Sequence, residues 1–211
     1  MKDIILIGGG GHCISCIDVI EASGLYRIQG ILDLPQMVGR KVLDYSIIGT
    51  DDELASYIDN NTAFCITIGQ VEAGDTLRKN IYIKALNQGA DLPAIISHNS
   101  YVSKRAEIEN GSVVLSGVIV NSTVKIGNNS IINSGSIVEH GAFVGDHCHI
   151  STGVIVNGDC IIGNNCFIGS GAIIKNGVSI VENALVGMGS VVRKNITAPG
   201  TYYGNPLRKI K

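Results

Sequence analysis

Tryptophan is absent from this 211-residue chain, proline occurs 4 times, and aromatic residues make up only 5%. Charged residues are 16%, against roughly 25% in an average domain. With 45% hydrophobic residues, so little charge excludes an intrinsically disordered chain. The scarcity of proline excludes collagen, although there are 27 glycines. Sixteen basic residues against eighteen acidic ones leave a net charge of −2, so no electrostatic footprint for nucleic acid is present. No apolar run approaches the ~18 residues of a membrane span. The opening Ile4-Ile5-Leu6-Ile7 is too short for a signal peptide, and no cleavage site follows it. The expected setting is the cytoplasm, with neither membrane nor nucleic acid as partner. The cysteines, at 13, 16, 65, 148, 160 and 166, are therefore expected as free thiols filling small apolar spaces.

What is present is a repeat. Every sixth residue from Val102 to Val192 is Val or Ile, sixteen times without an insertion. Four residues after each stands a small side chain, from Ala106 and Ser112 through Cys148 and Cys160 to Ser190. A helix needs apolar spacing near 3.6 and a lone strand needs 2, so a period of six fits neither. It fits a three-sided parallel β-solenoid with one short strand per face. The branched residue points inward and the small residue sits near the corner. Asn and Gly fill the turns, as in Ile126-Gly127-Asn128-Asn129. Eighteen residues then make one coil, about five coils span 102–192, and coils rise by about 4.8 Å.

Residues 1–98 follow another grammar and are expected as a separate domain, with 99–211 forming the solenoid and a short tail. Asp3–Ile7 reads as a buried strand, 8–11 as a glycine turn and His12–Ala22 as a helix. Arg27–Leu32 reads as a second strand, and Asp51 as the cap of a helix reaching Asp59. Ala63–Ile68 follows as a strand, Asp75–Gln88 as a helix, and Leu92–Ile96 as the last strand. This alternation predicts a Rossmann-like parallel sheet.

Four glycines between a strand and a helix make an anion-binding turn, because backbone N–H groups face outward with no side chain in the way. The strict dinucleotide fingerprint fails, since Cys13 stands at its third glycine. A nucleotide or nucleotide-sugar site, a plain tight turn and a dinucleotide site are the three readings. Gly10, Gly11, His12 and Asp33, the last at the end of the second strand, are the candidate contacts. Cys13 and Cys16 form a C-x-x-C whose first thiol, near a helix start, is expected to have a lowered pKa. Without further partners the pair reads as packing.

Three of the five histidines fall within ten residues, at 140, 147 and 149. His140 lies two places after inward Val138, at a corner or outer face, and His149 precedes inward Ile150 and is expected to face outward. A neutral imidazole there suits general-base work.

The segment Asn133-Ser134-Gly135-Ser136-Ile137-Val138-Glu139-His140 resembles the catalytic coil of bacterial sugar O- and N-acetyltransferases. These enzymes join a Rossmann-like domain to a left-handed β-helix of hexapeptide repeats. They include sialic acid O-acetyltransferases and N-acetyltransferases of UDP-4-amino sugars. Gly10-Gly11-His12, Ile68-Gly69, Ile150-Ser151-Thr152-Gly153, Val186-Gly187-Met188-Gly189 and Tyr203-Gly204-Asn205-Pro206 are similar too. The resemblance implies a left-handed, trimeric solenoid that uses acetyl-CoA as donor and needs no metal. It implies His140 as base and Asn133 beside the acceptor. It implies Gly10, Gly11, His12, Asp33 and Gly69 around the sugar nucleotide. It implies His149, Gly158, Ser170 and Met188 along the acetyl-CoA groove, with a neighbouring subunit as the other wall. One departure stands out: the amino-sugar enzymes follow the histidine with an acid, and this chain has Gly141. The sialic acid branch carries His-Gly, which favours a hydroxyl acceptor. Asp159, one coil beyond Gly141, is the candidate for the missing carboxylate. The basic tail, including Arg193, Lys194, Arg208, Lys209 and Lys211, suits either CoA phosphates or solvent. Two other functions fit the histidines and the fold: a β-helix metalloenzyme of carbonic anhydrase type, and a trimeric nucleotide-sugar-binding scaffold without catalysis.

Overall fold

The computed structural model describes residues 1–69, 76–205 and 207–210. Asp75, Pro206 and Lys211, named above, lie outside the described residues.

The first half is built on a five-stranded sheet of order β3-β4-β2-β1-β5. Its strands are β1 (Lys2–Ile7), β2 (Tyr26–Leu32), β3 (Lys41–Val42), β4 (Tyr45–Gly49) and β5 (Thr62–Ile66). β1, β2, β4 and β5 are parallel, and β3 closes an antiparallel hairpin on β4 that the sequence reading did not contain. Helix α1 (Gly11–Ser23) buries Cys13, Cys16, Ile17, Val19 and Ile20 against the sheet. Helix α2 (Leu77–Asn87) covers the other side with Ile81, Tyr82 and Ala85. The expected helix at 51–59 is instead a 3-10 helix at Asp51–Tyr57. Its start is Thr50, not Asp51: the Glu53 carboxylate accepts the Thr50 backbone N–H at 2.7 Å, half of a capping box.

From β6 (Ile95–Ile96) onward the chain forms a three-sided solenoid of two-residue parallel strands. Partners are 18 residues apart, as in Ile119↔Ile137 and Ile137↔Ile155. The inward Val and Ile column and the small column two residues before it form one continuous core. Leu92–Ile96 is therefore not the last strand of the first sheet. Phe64 N–H donates to the Asp91 carbonyl, but Ile95–Ile96 pairs with Val113–Val114 and opens the solenoid. Ile96 stands six residues before Val102 and continues the hexad backwards.

The three faces differ in what points outward. On one face the outward column Ile95, Val113, Ile131, His149 and Leu185 is buried; Ile95, Val113 and Leu115 join the core around α1. A second face presents Glu107, Lys125, Phe143 and Ile161, with an ion pair between Lys125 and Glu107. The third presents Tyr101, Ile119, Ile137, Ile155, Ile173 and Val191, all apolar in body and none fully buried.

Arg78 joins the two halves. Its buried guanidinium donates to the carbonyls of Ile66 and Ile68 at the end of β5, and to those of Gly111 and Asn129 at a solenoid corner. Four carbonyls from two domains thus share one cation, and no sequence pattern announces such a contact.

Candidate active site

The glycine turn opens onto a cavity of about 650 Å³. Gly8, Gly9, Gly10, Gly11, His12, Asp33 and Gly69 line it, as do Thr67, Asp51 and apolar Leu34, Met37, Leu77 and Ile81. The turn is held from below: Thr67 Oγ1 donates to the carbonyls of Ile7 and Gly8. Gly9 N–H is already engaged by Asp33 Oδ2 at 2.7 Å, and the other Asp33 oxygen accepts Leu34 N–H. A Cβ on Gly9 would lie 2.8 Å from that carboxylate, so this glycine serves the fold. Gly10 and Gly11 are different. Neither has a positive φ, and among the described residues a Cβ on either would meet nothing within 4 Å. Among the described residues nothing requires glycine at these positions, which head α1 and face the cavity.

A second cavity of about 420 Å³ shares His12 and Gly69 with the first. Across the domain junction it is lined by Asn133, Ser134, His149, Ser151, Thr152 and Phe167. His149 points away from the solenoid core as expected, but it is buried rather than solvated, because the first domain covers its face. Its ring lies edge-on to Phe167 and 6.3 Å from His12, and its Nε2 is 3.3 Å from Asn133 Nδ2. Burial, helped by the nearby Arg78 cation, pushes the His12 imidazole down to about 3, so it is neutral at physiological pH. The cysteines behind the turn are inert. Burial lifts the Cys13 thiol to about 11, overriding the helix start that was expected to lower it.

His140 is elsewhere. It is exposed in the turn between the apolar face and the Lys125 face. Its ring lies over Gly158 of the next coil, where a Cβ would be 2.7 Å from Cε1 and 2.9 Å from Nε2. Asp159 N–H donates to the His140 carbonyl at 3.0 Å. The expected site residues thus fall on two edges of the solenoid. Asn133 and Ser170, which bonds Ser151 Oγ at 2.9 Å, share one edge with exposed Met188, beside His149. His140, Gly158 and Asp159 share the other, so Gly158 does not join His149, Ser170 and Met188 within one chain. The apolar face separates the two edges. His147 belongs to neither: it faces Tyr82 edge-on and lies 3.0 Å from Asn129 Nδ2. Three histidines close in sequence therefore do not converge within one chain, and no cluster of potential metal ligands occurs among the described residues. Among the described residues no helix is long and apolar enough to cross a membrane.

Residues 3–85 match the PglD N-terminal domain, residues 141–176 the bacterial transferase hexapeptide, and 123–157 and 160–194 the hexapeptide repeat of succinyl-transferase. The whole chain superimposes on a point mutant of perosamine N-acetyltransferase from Caulobacter crescentus in complex with CoA and GDP-perosamine. The TM-score is 0.92 at 27% identity, with 100% of this chain and 98% of that one covered. It superimposes equally on the acetyltransferase domain of PglB from Neisseria gonorrhoeae, with TM-score 0.92, 26% identity and 100% of each chain covered. The same domain in complex with acetyl coenzyme A gives 0.73, 25% identity and 99% of each chain. No curated protein matches the chain. The solenoid is the left-handed β-helix of hexapeptide transferases. With its PglD-type first domain, the chain has the two-domain build of the sugar acetyltransferases of that group.

Proposed function

We propose that the protein transfers an acetyl group from acetyl-CoA to a sugar carried on a nucleotide, as a homotrimer with His140 as general base. The observation that carries the acceptor reading is the open cradle at Gly10 and Gly11. Glycine there leaves room for a ligand, with no described residue within 4 Å of where a Cβ would stand. The N–H groups at the start of α1 suit a diphosphate, and the cavity of about 650 Å³ lies within the usual range for small-molecule sites. The Caulobacter relative holds GDP-perosamine, an amino sugar on a nucleotide, which favours an amine as the nucleophile.

In the reaction the acceptor nitrogen attacks the thioester carbonyl and loses a proton to His140. The C–S bond then breaks, and the coenzyme thiolate takes that proton from the imidazolium. The second cavity, with Asn133 and neutral His12, suits the sugar's hydroxyl groups. The two edges meet only between protomers: packing the apolar face against a second copy would bring His140 of one toward Asn133 and His149 of the next. A hydroxyl acceptor of sialic type is the second reading, and Gly141 in place of an acid favours it. The protein is expected to act in the synthesis of bacterial surface glycans.

Mass spectrometry of the products from acetyl-CoA with a panel of nucleotide-linked amino sugars and free sialic acids tests the proposal. A mass gain of one acetyl group on a nucleotide sugar is expected. His140→Ala should lower kcat/KM by about 10²–10⁴ with unchanged folding, since the side chain is exposed. Acetylation of no sugar, or full activity in the variant, overturns it.

A further inference from the structure

Arg78, the second residue of α2, is 3% exposed and directs all three side-chain nitrogens at backbone carbonyls. Nη1 donates to Ile66 and Ile68, at and just past the end of β5, the second at 3.0 Å. Nη2 donates to Gly111 at 3.2 Å and Nε to Asn129 at 3.2 Å. Both lie on the third edge of the solenoid, which carries neither His140 nor Asn133. No carboxylate pairs with Arg78 among the described residues. Taking a guanidinium out of water is costly, and the carbonyls offset that cost only when every bond is well made. Adhesion between the domains does not call for such a group. Apolar packing supplies it at lower desolvation cost, and Ile95, Val113 and Leu115 already join the core around α1.

What the arginine adds is direction. Residues 67–69 stand where the two cavities meet: all three line the larger, and Gly69 lines the smaller as well, with His12. On one side Thr67 Oγ1 ties this segment to the carbonyls of Ile7 and Gly8, where the glycine turn begins. On the other side Arg78 ties it to the solenoid. The Asn129 carbonyl there stands just before the strand Ile131–Ile132, and Asn133 at the far end of that strand lines the smaller cavity. One planar cation thus connects the floor of the glycine turn to the strand that presents Asn133. Its charge is felt in the site too, where burial and then Arg78 push the His12 imidazole down. A guanidinium holds its donors in a fixed fork, whereas an ammonium is a single point of charge on a flexible stem.

We propose that Arg78 is a positioning residue for acetyl transfer, fixing the register between the cavity that holds the acceptor's nucleotide and the solenoid edge where its sugar reacts. The proposal rests on the acetyltransferase reading above. Arg78 touches no reacting atom and acts through residues 66–69. The acceptor must span both domains, from the glycine turn to Asn133, so a shift of either domain moves the nucleophile relative to the thioester. A displacement of about 1 Å at a reacting centre costs on the order of 10²-fold in rate. The donor does not span that junction, since His140, Gly158 and Met188 all belong to the solenoid. Losses should therefore fall on the acceptor side.

Arg78→Lys keeps the charge and gives up the fork, and Arg78→Gln gives up both. Arg78→Ala leaves a space that a free guanidinium ion fits. The three variants and the unsubstituted full chain are compared by steady-state kinetics with acetyl-CoA and the panel of nucleotide-linked amino sugars. Calorimetric binding of CoA and thermal melts run beside them, with every assay below the lowest melting temperature. Each variant should lose about 10²-fold in acceptor kcat/KM while its CoA affinity stays within about twofold. About 10 mM guanidinium should recover about fivefold or more in Arg78→Ala, and ammonium at the same concentration should not. A folding defect alone lowers the active fraction and leaves both KM values as they are, so a rise in acceptor KM is the deciding readout. If Arg78→Gln and Arg78→Ala do not fold, Arg78→Lys carries the comparison. Acceptor kcat and KM within about threefold of the unsubstituted values in Arg78→Lys overturn the proposal and leave the acetyltransferase reading standing. So does a loss of CoA affinity as large as the loss on the acceptor side. Failure of the unsubstituted chain to acetylate any sugar overturns both.

Discussion

The carboxylate of Asp159 lies against the α-carbon of Gly141, one coil away, in the space a side chain at 141 would enter. Both residues occupy left-handed corner positions, with φ of +58° at Asp159 and +70° at Gly141. An acid after His140 and an acid at 159 therefore compete for one volume, and this chain has kept the second. We expect Asp159 to act as a positioning residue, holding the His140 segment from the neighbouring coil. Asp159→Asn should lower kcat about tenfold with little change in either KM. Gly141→Asp alone should not help, because it clashes with Asp159. Gly141→Asp combined with Asp159→Gly should recover activity to within about threefold. Steady-state kinetics of the three variants decide it: failure of the double variant to exceed Asp159→Asn would leave Asp159 a corner residue only.

The glycine turn makes a contrasting pair of predictions. Gly10→Ala and Gly11→Ala place a methyl within 4 Å of no described residue, so thermal stability should change by less than about 1 kcal/mol. The same methyl should obstruct a bound diphosphate and raise the acceptor KM about tenfold. Gly9→Ala pushes on Asp33 Oδ2 at 2.8 Å and Val42 Cγ2 at 3.2 Å, and should cost about 1–3 kcal/mol of stability. Thermal melts beside acceptor titrations separate the two effects. Unchanged acceptor KM in both Gly10→Ala and Gly11→Ala would mean that the cradle holds no ligand.

How far the sequence could be read depended on whether a contact is local or repeating. The solenoid was legible because every coil poses the same steric problem, a branched residue inside and a small one two places before it. That pattern even reaches back to Ile96, yet Leu92–Ile96 also satisfies the grammar of a buried sheet strand, and only the pairing with Val113–Val114 decides. The hairpin of β3 and β4 offered two-residue Lys41–Val42 as its only first strand, too short to carry a period. In the site, the strand–turn–helix at 1–23 and Asp33 were visible as local chemistry. The edge assignment was also arithmetic: His140 and Gly158 differ by 18, whereas His149 lies nine residues beyond His140 and cannot share its corner. Arg78 was invisible, because its carbonyl partners come from 66–68, 111 and 129, which nothing in the sequence brings together.

The apolar face between the two edges predicts the assembly. Ile155, midway along it, is half-buried and points outward. A charge there should cost the isolated chain little, but it should break a contact between copies. Native mass spectrometry should give three times the 22.2 kDa chain mass for the unsubstituted protein and a smaller species for Ile155→Lys. Turnover should fall with the trimer, while circular dichroism stays unchanged. A monomeric unsubstituted protein with full activity would show that one chain holds the whole site.

His12 sets the response to acid. In the folded chain its imidazole is pushed down to about 3 by burial first and by Arg78 second, against an ordinary value near 6.5. Below pH 6.5 the unfolded chain takes up a proton there that the folded chain refuses. Stability due to this group is therefore complete above about pH 6.5 and is lost as pH falls toward 3. One proton over 1.5 pH units corresponds to about 2 kcal/mol between pH 6.5 and 5. Burial lowers His147 in the same direction and steepens the slope. His12→Asn removes the larger contribution, so its urea midpoint should vary less between pH 7 and 5 than that of the unsubstituted chain. Equal pH slopes in the two proteins would mean that His12 opens to solvent and titrates normally. The junction between the two cavities would then be less closed than its packing against His149 implies.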